Sequence, residues 1–531
     1  MCHTDNIMKD ILLVTANNLG TYRSAKITSE SLGIGLLSAV VEKKNYECDI
    51  IDARLYDLSP QEVSENINNY LVLGISIFSF EAIPWVKEIS NICKKKNPDI
   101  LIVAGGYAPT LSTQQVLDAV PNIDVVIRGE GENTIVEILE SFHNRETFDT
   151  IKGIVFKKEN QYIWTEKRPL LKNLDINPFP KRYAQNFADK NFEVLIEGSR
   201  GCENNCTFCG VKPFFGNDKL LHWRYRSAKS LIDELKYISK IYPCSRRIRF
   251  VDPDFLGLNP DGINRAVEFC DLLKKNKMEG YQFCCETRVS TVREENKYVF
   301  DKLKEAGFVE IYLGIESGSD HILKTMNKRI TSKDSLRAAH LLKSWEIDFV
   351  YGFMMFTPWS KYEDIKENIE FLREIGDVQF DKLFHKLELI PNTPSVVYAK
   401  NKGLLLEFNA NGYYNYKFES DEIYRLSIVW SYLQNYHIEF LQKIWYVYKD
   451  FKFWRQTEGK MVEKQLRELT EVSLEIFEDL CECCKQNNIL SNERNPEVDD
   501  ILHRYESRLN ELEKRVNKKY CFPRNKMPGG A

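Results

Sequence analysis

Residues 194–210 read VLIEGSRGCENNCTFCG, and both the fold and the chemistry turn on them. The run 194–197 has the length and apolar content of a buried strand, and the glycines at 198 and 201 break it. Directly after it stand Cys202, Cys206 and Cys209, spaced C-x3-C-x2-C on a loop. Three thiolates on one short loop can converge on a single iron–sulfur cluster. A four-iron cubane held by three cysteines keeps one iron open to another molecule. A structural zinc site would ask for a fourth Cys or His, and His222 is the residue available for it.

Working outward, strand-like runs recur downstream at 247–251, 280–286, 310–315, 349–353 and 386–390. Helical patterns separate them at 227–241, 263–275, 297–306, 332–344 and 361–375. Six strand–helix units predict an α/β architecture, a partial (β/α)6 barrel over 193–400. The cysteine loop lies at a strand's C-terminal end, where parallel barrels carry their chemistry. Upstream, apolar runs at 11–14, 49–52, 72–77, 100–104 and 124–127 alternate with helical stretches such as 33–43 and 83–95. That alternation predicts a doubly wound, Rossmann- or flavodoxin-like parallel sheet over 1–165. Pro169, Pro178 and Pro180 mark 166–192 as a linker. Beyond 400 the strand signal fades, so 401–531 is expected to be mostly helical. It holds an aromatic run from Trp430 to Tyr448 and an apolar stripe of Ile501, Leu509, Leu512 and Val516.

With 531 residues, about three or four domains are expected. The 73 Lys and Arg are interleaved with 77 Asp and Glu, for a net charge of -4, which excludes the basic footprint of a nucleic-acid binder. The opening residues lack a basic stretch ahead of an apolar core, and no apolar run approaches ~20 residues. A cytoplasmic protein without a membrane span is the expectation. In that compartment the 14 cysteines remain thiols unless they bind metal. Cys481, Cys483 and Cys484, with distant Cys521, form a second grouping, but on an amphipathic helical stretch where packed thiols are the simpler reading. Cys284 and Cys285 alternate across a barrel strand, so one faces inward.

C-x3-C-x2-C with Phe208 before the last cysteine resembles the radical S-adenosylmethionine (SAM) superfamily. Further motifs follow in the order that superfamily has them. RFVDPDF (249–255) resembles its acidic stretch, which implies that Asp252 or Asp254 receives the methionine amino group. CETRV (285–289) resembles its E-x-R element, with Arg288 toward the methionine carboxylate. YLGIESG (312–318) resembles G-x-E-S-G, with Glu316 or Ser317 toward the ribose or carboxylate. One departure is FTPW (356–359), where relatives carry Gly-x-Pro-Gly; the loop is bulkier and should reshape the adenine or substrate pocket.

A doubly wound domain before such a barrel resembles the cobalamin-binding branch of the superfamily. The carrying residues are AGGYAPT (104–110) and DVVIRGEGE (124–132), with Gly74-Ile-Ser76 on the third strand. The resemblance implies a corrin against Ser76, Gly105, Gly106, Tyr107, Gly129, Glu130 and Gly131. D-x-H-x-x-G, which supplies a histidine to cobalt elsewhere, is missing, and Ala108 stands where relatives often carry His. The implied cofactors are a [4Fe-4S] cluster, SAM and cobalamin. The implied activity is methylation of an unactivated carbon or phosphorus in a small molecule or peptide, with an electron donor such as flavodoxin or ferredoxin. Two alternatives are radical cyclisation or rearrangement without methyl transfer, and a corrinoid or cluster sensor without turnover. Methylthiolation is disfavoured, because no second cysteine triad stands in the N-terminal domain.

Overall fold

Strand β1 (Lys9–Thr15) carries the apolar run Ile11–Val14, and β2 (Cys48–Asp52), β3 (Tyr70–Ser76), β4 (Leu101–Gly105) and β5 (Val125–Ile127) extend the sheet from it in parallel. The computed structural model describes residues 8–18, 29–159, 161–187, 192–216, 223–257, 260–376, 380–383, 385–436, 459–486 and 496–501, with 503–505, 507, 508 and 511. Alternate side chains of these strands feed two cores, one on each face. Leu12, Leu73, Ile75 and Ile102 lie on one side, and Ile11, Leu13, Val72 and Val103 on the other. Each such buried side chain stabilises by about 1.5–3 kcal/mol, so both faces must be covered, here by helices such as Leu32–Glu42 and Ile83–Lys96. The purely parallel expectation needs one correction. β6 (Ile154–Lys158) and β7 (Gln161–Trp164) extend the sheet antiparallel, giving the order β2-β1-β3-β4-β5-β6-β7. A short hairpin at a sheet edge needs little apolar alternation, which is why its sequence is quiet.

The linker expectation also changes. Segment 166–187 is a strap held to both neighbours. Arg182 pairs with Glu30 (3.1 Å) from the first domain and Glu234 (2.7 Å) from the second, all three buried. Tyr183 Oη donates to Asp52 at 2.8 Å, and Lys181 N–H donates to Gly35 O at 2.9 Å. Leaving any one of these buried charges alone would cost several kcal/mol, so the two domains are fixed together.

In the second domain β8 (Glu193–Ile196) leads into β9 (Ser199–Gly201), which pairs antiparallel with β10 (Trp223–Tyr225). The barrel sheet runs β14-β13-β12-β11-β8, all parallel, from β11 (Arg247–Phe250), β12 (Gln282–Thr287), β13 (Phe308–Glu316) and β14 (Phe349–Phe353). The expected sixth strand at 386–390 reduces to two isolated bridges, Lys386 parallel to Phe356 and Leu389 antiparallel to Tyr414. Helices at Ala228–Ile241, Pro260–Lys275, Lys297–Glu305, Ser332–Ser344 and Tyr362–Ile375 match the expected positions.

After 400 the first element is not a helix but a hairpin, β15 (Leu405–Phe408) with β16 (Tyr414–Tyr416). It packs on the first domain through Phe408 against Phe80, ring centroids 4.9 Å apart. Helices Asp421–Tyr436 and Gly459–Gln486 follow. Cys481, Cys483 and Cys484 are buried in the barrel's core, as is Ile501. His222, the aromatic side chains of 430–448, Leu509, Leu512, Val516 and Cys521 lie outside the described residues.

Candidate functional site

The cysteine loop leaves β9 at Gly201, whose φ of +81° is a conformation glycine adopts without strain. Two other segments then clamp it. Thr207 N–H donates to Met326 O (2.9 Å), Asn327 Nδ2 to Asn205 O (2.8 Å) and Ser395 N–H to Thr207 O (2.9 Å). Cys202, Cys206 and Cys209 are all partly exposed free thiols. Burial pushes Cys202 up to about 11 and Cys209 up to about 12, and raises Cys206 as well. Arg288 opposes the shift at Cys202, and Lys328 opposes it at Cys206. A bound cation acts against this burial, because a coordinating thiol is deprotonated outright. Among the described residues no three Cys, His, Asp or Glu converge as ligands of one ion would. A cluster, with a separate iron for each thiolate, makes no such demand.

The motif residues at the strand ends divide into two groups. Asp254, Arg288 and Glu316 surround the loop. Arg288 Nε lies 2.6 Å from Asp254 Oδ2, its Nη1 donates to Asn204 Oδ1 at 3.3 Å, and its buried Nη2 has no hydrogen-bond partner. Glu316 sits at φ +73°, rare for a residue with a side chain, and its Oε1 accepts from buried Lys328 Nζ at 3.2 Å. The two glycines beside it make room. A Cβ on Gly314 would stand 2.9 Å from Glu316 Oε1, and one on Gly352 would stand 2.9 Å from Oε2. That space is the physical content of the glycine in the G-x-E-S-G element. Glu286, between the two groups, is pushed up to about 7 by burial; Asp252 and Glu316 add to the shift and Arg249 opposes it.

Asp252 and Ser317 turn away, which corrects two expectations. Asp252 is completely buried and accepts from Gly198 N–H (2.6 Å) and Ser199 Oγ (2.8 Å), so it fastens the chain where β8 passes to β9. Ser317 Oγ donates to Asn368 Oδ1 at 2.8 Å in the core beneath helix Tyr362–Ile375. Phe208 packs beside Trp359 of the bulky 356–359 loop, with Ile322, Leu387 and Leu389. Lys328, the buried cation facing both Glu316 and Cys206, had no motif to announce it. Its one signal is position, in the turn directly after a short helix at the end of the fourth barrel strand's loop.

At the C-terminal edge of the first sheet a cavity opens toward the second domain. Ser76, Gly105, Gly106, Gly129, Glu130 and Gly131 line one side. Glu197, Arg200, Phe214, Phe215 and Arg226 of the second domain line the other. It is also lined by apolar Leu13, Ile75 and Val103, and no histidine stands among the described residues that line it. Two expectations change here. Tyr107 does not line the cavity. It stacks between Phe78 (5.8 Å) and Phe214 (6.0 Å) and presses its hydroxyl on Gly210, where an added Cβ would meet it at 2.0 Å. Glu130 lines the cavity but is spoken for, pairing with Arg200 (2.9 Å) and Arg224 (2.8 Å) across the domain boundary.

Residues 196–372 match the model of the radical SAM superfamily, and residues 22–139 match that of the B12 binding domain. The chain thus carries a radical SAM domain and a B12-binding domain. It is 28% identical over 415 residues to an uncharacterised methyltransferase of Pyrococcus horikoshii, covering 77% of this chain and 86% of that one. It is 26% identical to the anaerobic magnesium-protoporphyrin IX monomethyl ester cyclase of a Synechocystis species, covering 60% of this chain and 62% of that one. In fold it is similar to the cobalamin-dependent SAM radical enzyme OxsB solved with aqua-cobalamin and SAM, with a TM-score of 0.79, 19% identity, and 98% and 83% of the two chains covered.

This radical SAM protein is thus an enzyme whose cofactors are a [4Fe-4S] cluster, SAM and cobalamin. The residues present suit all three. Buried Arg288 Nη2, which lies 4.0 Å from Glu203 and makes no hydrogen bond, suits a carboxylate, and Glu316 suits a hydroxyl or ammonium donor. The glycine-lined cavity suits a flat macrocycle lying close against the backbone.

Proposed function

We propose that the chain is a cobalamin-dependent radical methyltransferase acting on an unactivated carbon, or on phosphorus, of a small molecule or peptide. The observation that carries this reading is the space between the B12-binding edge and the cysteine loop, which Gly129, Glu130, Cys206 and Cys209 all line. Direct methyl transfer needs a methyl donor and a radical-bearing substrate within one enclosure, and such proximity lowers a barrier by many kcal/mol. When bound, SAM and the cluster supply the 5′-deoxyadenosyl radical, and cobalamin supplies the methyl group.

In this reading Cys202, Cys206 and Cys209 hold the cluster. Arg288 and Glu316 orient SAM from opposite sides, and Phe208 shapes the loop that carries the last cysteine. Gly105, Gly129 and Gly131 admit the corrin, while the Glu130–Arg200–Arg224 network keeps the two walls in register. Likeness to a curated methyltransferase over 86% of its length adds support. A second reading, radical cyclisation, draws on the likeness to the magnesium-protoporphyrin cyclase. Product mass separates the two. Gain of one CH2 unit, labelled from methyl-deuterated SAM, supports methyl transfer, and loss of hydrogen without added carbon supports cyclisation.

A further inference from the structure

A further set of side chains meets where the barrel, the hairpin β15–β16 and the first domain come together. Residues 386–390 are paired at two points there, Lys386 with Phe356 and Leu389 with Tyr414. Successive side chains of such an extended segment alternate. Leu387 and Leu389 are buried with Phe208 and Trp359, so Glu388 turns to the opposite face, where it is exposed. Tyr413, beside Tyr414 on the hairpin, turns the same way and donates its hydroxyl to the Glu388 carboxylate. Hairpin and barrel are both pinned to the first domain here. Gln115 Nε2 donates to Tyr414 Oη at 3.2 Å, Asn392 Nδ2 donates to Leu111 O at 2.8 Å, and a Cβ on Gly412 would stand 2.5 Å from Phe80 Cβ. The first domain adds Phe78, whose ring stacks on Tyr107 and is still 79% exposed. Burial raises the pKa of the Tyr107 hydroxyl, and the charges of Cys209 and Glu388 add to the shift, so this corner lies within electrostatic reach of the cysteine loop.

No described cation pairs with Glu388. Burial among these walls raises its pKa, the Tyr413 hydroxyl opposes the shift, and Glu81, a like charge, adds to it. Glu81 holds the Asn18 amide at 3.3 Å, which brings no compensating charge. We propose that this corner anchors the non-reacting end of the substrate, and that this end carries a cationic nitrogen, an amine or a guanidinium, paired with Glu388 and covered by the Phe78 ring. The inference rests on the methyltransferase reading above, which brings a substrate to this domain boundary. A neutral hydroxyl would leave the Glu388 charge uncompensated between low-dielectric walls, whereas a cation forms a charge-assisted hydrogen bond with it. The open aromatic ring alongside favours an organic cation, which it meets by its face or by apolar contact. A metal ion would ask for more ligands, and among the described residues no three Cys, His, Asp or Glu converge. Holding a remote end also orients the reacting atom, so binding energy away from the chemistry serves the rate.

The test uses two probes of one shape on the reconstituted holoenzyme, benzylammonium and benzyl alcohol, with affinities read by ligand-observed NMR. The parent should bind benzylammonium about tenfold more tightly than benzyl alcohol, the worth of one charge-assisted hydrogen bond. Glu388→Gln keeps the size of the side chain and should bring the two affinities within about twofold of each other, with iron and corrinoid content unchanged. Phe78→Ala, at an exposed position, should weaken both probes and keep the preference for the cation. Equal binding of the two probes by the parent overturns the proposal. A preference that survives Glu388→Gln also overturns it, because the cation would then sit elsewhere. Neither readout depends on turnover, so the anchor and the methyl transfer can fail separately. A product without a gained CH2 unit, from a protein whose preference vanishes in Glu388→Gln, would remove methyl transfer and leave the anchor standing.

Discussion

The barrel mouth and the edge of the first sheet are built on opposite principles. At the barrel mouth side chains make the site. Three cysteines share one loop, and beside it Arg288 stands 2.6 Å from Asp254 and Lys328 3.2 Å from Glu316, so the charges are balanced in pairs. At the sheet edge the absence of side chains makes the site. Glycines 105, 129 and 131 leave a hollow between an apolar floor and the second domain. A site of charged groups fails by losing one group, and a site of empty space fails by gaining one. Substitutions should therefore act in opposite senses in the two regions, and the predictions below run from the largest expected effect to the smallest.

Replacing Cys202, Cys206 and Cys209 together with Ala should remove all cluster iron from anaerobically reconstituted protein, read by iron and sulfide assay and by visible absorbance. Cobalamin uptake should persist, because its hollow belongs to the other region. Persistence of the cluster absorbance would refute the assignment.

The converse substitution is Gly105→Phe. A Cβ there meets only Ile127, at an ordinary 3.7 Å, so the backbone tolerates it while the ring fills the hollow. Bound corrinoid should be lost and iron content should not change. Gly106 is the wrong place for this experiment. Its φ is +104° and a Cβ would stand 2.9 Å from Ile77 O, so Gly106→Phe would strain the fold by about 1–3 kcal/mol whatever the corrin does. A lowered melting temperature in Gly106→Ala, with none in Gly105→Ala, would mark the difference.

Glu316 tests the charged region. Glu316→Gln should weaken SAM binding roughly tenfold to a hundredfold, the worth of one charge-assisted hydrogen bond at ~1.5–3 kcal/mol, without loss of iron. Gln is preferable to Ala because it leaves an acceptor for Lys328 Nζ, which would otherwise be a buried cation without a partner. Calorimetric affinity equal to the parent's would remove Glu316 from the SAM site.

How much of this was legible in sequence follows the same division. The cysteine loop, Arg288 and Glu316 announce themselves because reactive residue types are rare and their spacing is short. Asp252 and Ser317 belong to the same motifs, yet their side chains fasten β8 and helix Tyr362–Ile375. A motif fixes which residues sit at a strand end, not which way each one turns. Lys328 escaped because lysine is a common surface residue and only tertiary packing buries this one. The strap at 166–187 read as a linker because its prolines are visible, while the partners of Arg182 lie 152 and 52 residues away. Among the glycines, spacing could not separate Gly105, which leaves space, from Gly106, which needs its own conformation.

The smallest effect concerns pH. Burial holds Glu286 at about 7, above its ordinary carboxylate value. Its folded pKa is raised, so the protonated form contributes stability that is complete below the unfolded value near 4.5 and is lost as pH rises through about 7. Glu286→Gln should therefore melt at a higher temperature than the parent at pH 8 and at nearly the same temperature at pH 4.5. A constant difference between the two proteins across that range would contradict the burial argument.

The central claim is that the hollow at the sheet edge and the cysteine loop serve one chamber. Electron paramagnetic resonance tests it most directly, because cob(II)alamin and the one-electron-reduced cluster each carry an unpaired spin. Protein loaded with both should give spectra broadened and split by dipolar coupling between the two centres, and Gly105→Phe should return the cluster signal to its isolated form. If the doubly loaded parent gives only the sum of two uncoupled spectra, the corrin and the cluster do not share a chamber, and the account fails at its centre.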